Sequence, residues 1–102
     1  MIHVVAWLRI KEGKLEQFAE MFREFATTVR REKGCIRFAA GIDLETGFPP
    51  QTMEKNVVTF LEAWESLDAL KAHSASLHVQ AHAEKSKDLV EAMGTFKVLQ
   101  EL

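Results

Sequence analysis

The stretch Ile2-His3-Val4-Val5-Ala6-Trp7-Leu8-Arg9-Ile10, followed by Lys11-Glu12-Gly13-Lys14 and then Leu15-Glu16-Gln17-Phe18-Ala19-Glu20-Met21-Phe22-Arg23-Glu24-Phe25-Ala26, decides the fold. In its first part Ile2, Val4, Ala6, Leu8 and Ile10 recur at every second position, the period of a β-strand. Beyond Gly13 the period changes. Leu15, Phe18, Phe22, Phe25, Ala26 and Val29 recur at three and four, the buried stripe of an amphipathic helix that the pattern extends to about Lys33. The outer face of that helix runs from Glu12, Glu16, Glu20 and Glu24 to Arg30, Arg31 and Lys33, the charge order its dipole favours, and reads as a solvated surface.

Working outward, Gly34 stops the helix, and Cys35 to Leu44 alternates again with Ile36, Phe38, Ala40, Ile42 and Leu44 on one face. Residues 45–55, with Gly47, Pro49 and Pro50, predict a loop. Asn56 to Trp64 predicts a third strand, and Ser66 is a good N-cap for a short helix bearing Leu67, Leu70 and His73 on one side. A further helix over about Leu77 to Leu89 and a last strand from Thr95 to Leu102, after Gly94, complete the order β-α-β-β-α-β. This is the ferredoxin-like arrangement of the α+β class, with the second helical region split in two. One antiparallel sheet has two faces, and the helices cover only one. The uncovered face is apolar, with Val5 and Trp7 from the first strand and either Val57 and Leu61 or Val58, Phe60 and Trp64 from the third. A homodimer packing sheet on sheet is the expected partner arrangement.

Composition narrows the function. The 102 residues are one domain's worth of chain, 47% hydrophobic and 27% charged, which suits a packed core spanning residues 1–102. A net charge of -2 supplies no positive field for phosphate backbones or anionic lipid, so neither nucleic acid nor a membrane is an expected partner. The single cysteine, Cys35, can form no internal disulfide and points to a reducing, cytoplasmic setting. The first residues carry no leader-like pattern, and no apolar run approaches the ~18 residues a bilayer requires. There is no glycine-rich nucleotide loop and no Gly-x-Ser-x-Gly elbow, and tyrosine is absent.

Three runs carry a resemblance: Glu32-Lys33-Gly34-Cys35-Ile36-Arg37-Phe38, Leu61-Glu62-Ala63-Trp64-Glu65-Ser66, and Leu70-Lys71-Ala72-His73 with Leu77-His78. Together they resemble the antibiotic biosynthesis monooxygenase domain over nearly the whole chain. The loop Gly47-Phe48-Pro49-Pro50-Gln51-Thr52-Met53 is similar to that of the small bacterial quinol monooxygenases in this family. The resemblance implies a dimeric α+β barrel that oxidises hydroquinone-like aromatics with dioxygen as co-substrate and no cofactor. The chain also departs from family patterns. Ser76-Leu77-His78 stands where many members have Thr-Pro-His, and Phe38 stands where relatives often have tyrosine. Trp7 and His73 occupy the positions of an asparagine and a tryptophan in the haem-degrading branch, which disfavours haem chemistry.

His73, at helical spacing from Leu67 and Leu70, faces inward, where a neutral imidazole with an ordinary pKa of ~6.5 suits general-base work. The structural alternative is a buried histidine satisfied by a carbonyl or carboxylate. Trp64, Trp7, Phe38 and Phe60 are candidate walls for a flat aromatic substrate, against an equally natural role in core or interface. His78 is a further candidate lining residue. His78 and His82 share a helical face at a spacing that can chelate a metal, yet no third ligand is evident in the sequence, and no metal site is predicted. Arg37 points away from Phe38 and is expected to pair with an acid; Cys35 reads as a buried inert thiol. The expected activity is cofactor-free oxygenation of a reduced quinone or polyphenol with His73 as base. The alternatives are isomerisation or tautomerisation of a small keto compound, and a non-catalytic dimeric ligand-binding module.

Overall fold

The computed structural model describes residues 1–102. Its elements run β1 (Ile2–Ile10), α1 (Leu15–Val29), β2 (Cys35–Ile42), β3 (Val57–Trp64), α2 (Leu67–Ala75), α3 (Leu77–Ser86), a 3-10 turn (Lys87–Leu89) and β4 (Val90–Gln100). The four strands form one antiparallel sheet in the order β2-β3-β1-β4, the ferredoxin-like α+β arrangement that the periodicity predicts. No helix is long and apolar enough to cross a membrane.

The apolar stripe of α1 lies on the sheet as its spacing demands. Phe18, Phe22, Ala26 and Val29 are buried against Val4, Ile10, Phe38, Val58 and Trp64, with Leu70 and Leu89 closing the ends. Side chains alternate across a strand, so the register sorts the two faces. Val4 pairs with Glu62 and Phe38 pairs with Glu62 from the other side, which places Glu62 in the helix-facing row with Val58, Phe60 and Trp64. Trp7 pairs with Thr59 and Val5 with Leu61, so these four lie on the opposite, uncovered face. Of the two sets considered for that face in β3, the one containing Val57 and Leu61 is the outward one.

The main differences in element boundaries from the sequence reading each have a local reason, while β3 starts one residue later, at Val57, and β4 ends two residues earlier, at Gln100. α1 ends at Val29 and not near Lys33, because Arg31 and Glu32 turn back onto the carbonyls of Thr28 and Val29 and Cys35 N–H bonds the Glu32 carbonyl. Gly34, at φ 84°, completes this turn; its missing Cβ matters, since one would stand 2.6 Å from Ala69 Cβ. β2 ends at Ile42 instead of Leu44, and a register shift between Cys35 and Arg37 turns Ile36 out of the inner row, leaving it 50% exposed. The predicted helix to Leu89 stops at Ser86 and tightens into the 3-10 turn. β4 begins at Val90, five residues earlier than its pattern suggests, and passes straight through Gly94.

Gly94 is where β1 and β4 slip register, between the pairs Ala6–Phe96 and Leu8–Met93. The Trp7 indole occupies the space a side chain would take there, since a Cβ at this position would lie 1.9 Å from Trp7 Cε2. Gly94→Ala is therefore expected to cost about 1–3 kcal/mol, the usual range for forcing an extra methyl into a filled site. Urea unfolding measures it. Most of the loss should vanish in a Trp7→Leu background, and a Gly94→Ala effect that is the same in both backgrounds would count against this packing.

Candidate active site

The turn that ends α1 has a consequence for chemistry. It lifts Glu32 off the solvated helix face and aims its carboxylate at the break between α2 and α3. There Glu32 Oε2 lies 2.8 Å from His73 Nδ1 and 2.7 Å from His78 Nε2. A carboxylate only accepts hydrogen bonds, so both nitrogens carry protons and donate. That sets the tautomers: in the neutral rings His73 Nε2 and His78 Nδ1 are the lone-pair acceptors.

The helix break is built by Ser76. Its Oγ donates to the His73 carbonyl at 2.7 Å, accepts from Val79 N–H at 3.4 Å as the N-cap of α3, and lies 3.3 Å from His78 Nε2. A proline at Leu77 is thus unnecessary for a sharp break. Ser66 caps α2 in the same way, accepting from Ala69 N–H at 3.1 Å. The two caps fix His73 at the end of one helix and His78 at the start of the next.

His73 is 7% exposed and its ring lies tilted over Trp64, with centroids 4.6 Å apart, while Phe38 stands 5.7 Å away. Every fully buried side-chain nitrogen and oxygen has a hydrogen-bond partner. His73 Nε2 has none among the side-chain bonds of the chain, so it retains contact with solvent. The geometry is that of an oriented base: a carboxylate holds one ring nitrogen and leaves the other free to accept a proton.

Trp64 is completely enclosed, and its indole N–H donates to Glu62 at 3.0 Å. Burial pushes the Glu62 carboxyl above the ordinary carboxylate range, opposed by the Trp64 N–H and by His73, and reinforced by the charge of Glu32. Burial also pushes the Cys35 thiol up, and the neighbouring Glu32 and Glu62 carboxylates add to it, consistent with an inert thiol.

The predicted site residues are therefore only partly gathered. His73, His78, Trp64 and Phe38 come together. Phe60 packs a layer away, against Phe18 and Phe22 at 6.4 and 5.6 Å, without touching His73. Trp7 does not belong with them. It lies on the uncovered face of the sheet, 5.7 Å from the Arg9 guanidinium, because the alternation of β1 turns odd-numbered residues away from the helices. Trp64 forms a wall behind the imidazole and presents no surface to a ligand in this conformation. His82 does not pair with His78; it stacks face to face on Phe25 at 4.0 Å.

Two residues are additional to the sequence reading. Glu32 is an acid beyond a run of bases at a helix C-terminus, against the dipole preference, which is the signal it offered. Glu62 is an acid in the otherwise apolar row Val58, Phe60, Trp64, again legible as an anomaly.

Two hollows flank α1. The larger, about 350 Å³, runs between α1 and strands β2 and β3 and is lined by Phe18, Phe22, Ala40 and Val58, with Arg23 and Arg30 at its rim. The smaller, about 200 Å³, lies between α1 and α3 and includes Phe25, His78 and His82. Phe38 lies between the larger hollow and His73: its ring stacks on Phe22 at 5.5 Å and neighbours His73.

With fold and geometry in place, comparison with known proteins defines the class. The chain belongs to the antibiotic biosynthesis monooxygenase family, whose pattern matches residues 1–85. It is similar to the protein named "Probable quinol monooxygenase YgiN" of Escherichia coli K12, with 32% identity over 94 residues covering 89% of this chain and 90% of that one. Among solved structures, a conserved protein from Methanosarcina mazei Go1 superposes with a TM-score of 0.84 at 21% identity, covering 99% of this chain and 92% of that one. An antibiotic biosynthesis monooxygenase superposes at 0.83 and 20% identity, covering 100% and 99%. These two likenesses speak for the fold.

The His82 ring yields a pH test. Burial, then the charge of Lys85, lowers its pKa below 6.5, so the unfolded chain takes up that proton more readily than the folded one. The stability it contributes is present above about pH 6.5 and is lost as pH falls from there through the lowered folded value. His82→Leu should flatten this acid loss when denaturant midpoints are compared at pH 7.5 and pH 5; parallel curves for the two proteins would contradict it.

Proposed function

We propose that this protein is a cofactor-independent monooxygenase that oxidises a hydroquinone or polyphenol-like aromatic with dioxygen. The observation that carries the reading is the Glu32-held His73, whose Nε2 is a free acceptor beside aromatic walls. The 32% identity to a relative named as a probable quinol monooxygenase supports the substrate class. The aromatic substrate occupies the hollow lined by Phe18, Phe22, Ala40 and Val58, where flat apolar surface suits a ring and Arg30 offers a cation for a phenolate. Phe38, which stacks on Phe22 of that hollow and neighbours His73, is the ring that must turn aside for a substrate hydroxyl to reach Nε2.

His73 Nε2 takes the hydroxyl proton, and Glu32 stabilises the imidazolium that results. The phenolate is electron-rich enough to reduce dioxygen directly, passing one electron and then coupling to form a carbon–oxygen bond. One oxygen atom stays on the ring and the other leaves as water, with two hydrogens of the hydroquinone ending in that water. The electrons come from the substrate, so no flavin, haem or metal is required. A poorly solvated site favours this by strengthening the electrostatics on the anion.

Sheet-on-sheet homodimerisation through Val5, Trp7 and Leu61 and a cytoplasmic setting complete the proposal. The apolar character of that uncovered face supports the first.

Oxygen uptake with a panel of hydroquinones, corrected for autoxidation, tests the reading. Chelator-treated wild type should consume oxygen above background, and His73→Ala should lower kcat by about 10²–10⁴-fold, the usual contribution of a positioned base. A His73→Ala rate equal to wild type removes the base assignment. Background uptake across the panel would favour isomerisation or ligand binding instead.

A further inference from the structure

Glu32, His73 and His78 each offer one metal-ligating atom, and the three atoms lie within 4.8 Å of one another. They come from three separate segments: the turn after α1, the end of α2 and the first turn of α3. The side chains of His73 and Glu32 are 9% and 15% exposed, while that of His78 is 33% exposed, so the cluster is largely enclosed and His78 is its most solvent-accessible member.

The charge balance of this cluster is unusual. Among the ion pairs of the chain Glu32 has only the two imidazoles, with no lysine or arginine within 4 Å of its carboxylate. Neither imidazole carries a permanent charge, and Glu62 adds a second carboxyl nearby whose ionisation Glu32 opposes. A nearly enclosed carboxylate without a fixed cation is costly, and a divalent ion would offset that cost. Two imidazole nitrogens and one carboxylate oxygen are also the donor set of zinc and its first-row neighbours.

We propose that Glu32, His73 and His78 form a binding site for a zinc-class divalent metal ion, and that an ion bound there switches the His73 base off. Zinc bonds of ~2.0–2.2 Å at tetrahedral angles set neighbouring ligand atoms roughly 3.3 Å apart. The Glu32 contacts of 2.8 and 2.7 Å need open by only about half an ångström, well within a side-chain adjustment. His78, the most exposed of the three, supplies the movement that brings the imidazoles to ligand spacing. No proton has to leave the protein. Each imidazole shifts its proton to the other ring nitrogen, so that His73 Nδ1 and His78 Nε2 present lone pairs to the metal.

That tautomer shift is the switch. With Nδ1 coordinated, the neutral His73 ring carries its proton on Nε2, which becomes a donor and can no longer accept from a substrate. The inhibitory half rests on the reading of His73 as base; the binding half does not. The site differs from the His78–His82 pair that sequence spacing suggests, because His82 is stacked on Phe25 and faces elsewhere.

The test titrates the chelator-treated full chain with Co²⁺, followed by its visible d–d absorption, then back-titrates with Zn²⁺. Saturable binding at one ion per chain, displaced by zinc, is expected. Glu32→Gln and His78→Gln, each confirmed folded by circular dichroism, should weaken it by more than the roughly 10–100-fold that losing a merely supporting residue costs. Absence of a saturable band in wild type, or an affinity equal to wild type in both variants, overturns the site. In parallel, oxygen uptake should fall in proportion to zinc occupancy; zinc bound with uptake undiminished overturns the switch. Uptake that depends on His73 in a protein that binds no metal would reject this inference and leave the base assignment standing.

Discussion

One oxygen atom, Oε2 of Glu32, accepts from two imidazoles on two different helices, and the arrangement around it depends on that double bond. It ties the turn after α1 to the end of α2 and the start of α3, adding to the backbone bond from Glu65 N–H to the Gly34 carbonyl and to the Ser76 bonds across the helix break. Charge-assisted hydrogen bonds of this kind are directional as well as strong, so they specify orientation where apolar packing specifies only proximity. The same interaction determines which nitrogen of His73 is free. Core packing, helix geometry and proton chemistry thus meet at a single carboxylate.

The packing beneath makes this possible. Trp64 has no exposed surface, yet its indole N–H needs a partner, and Glu62 supplies one from two residues along the same strand. Because strand side chains alternate, that contact keeps Glu62 on the helix side of the sheet, in a row that is otherwise apolar. The result is a polar seam of Glu32, Glu62, His73 and His78 let into an aromatic core of Phe38, Phe22 and Trp64. A seam of this kind is costly to desolvate and must be satisfied throughout, and no fully buried side-chain nitrogen or oxygen is left without a partner. Such expense without an evident gain in stability is characteristic of sites built for chemistry.

The two faces of the sheet divide the labour. The helix side carries His73, the two hollows beside α1 and the polar seam. The other side carries Val5, Trp7 and Leu61, with Trp7 seated on Gly94 across the β1–β4 slip. The slip is what a large indole on a flat surface requires, since one strand must give up a side chain to seat the ring.

The element order was legible in the sequence from period and one cap: two for Ile2–Ile10, three and four for Leu15–Val29, and Ser66 before the first short helix. His73 facing inward followed from the same arithmetic, and family membership could be read from the runs around Gly34, Trp64 and His73. Local turns and long-range pairing escaped it. The helix end at Val29 depended on backbone bonds after Thr28, and the start of β4 at Val90 on its pairing with Ile10 of a distant strand. The alternation of β1 already sets Trp7 beside Val5 on the uncovered face, while its aromatic character leaves a pocket wall open as well; the pairing with Thr59 places it on that face. Above all, nothing local connects Glu32 with His73, 41 positions apart, or with His78, 46 positions apart. Periodicity determined which elements form and which way their side chains point. Only the tertiary structure decided which polar groups meet, because hydrogen bonds act over about 3 Å and depend on where distant segments are brought together.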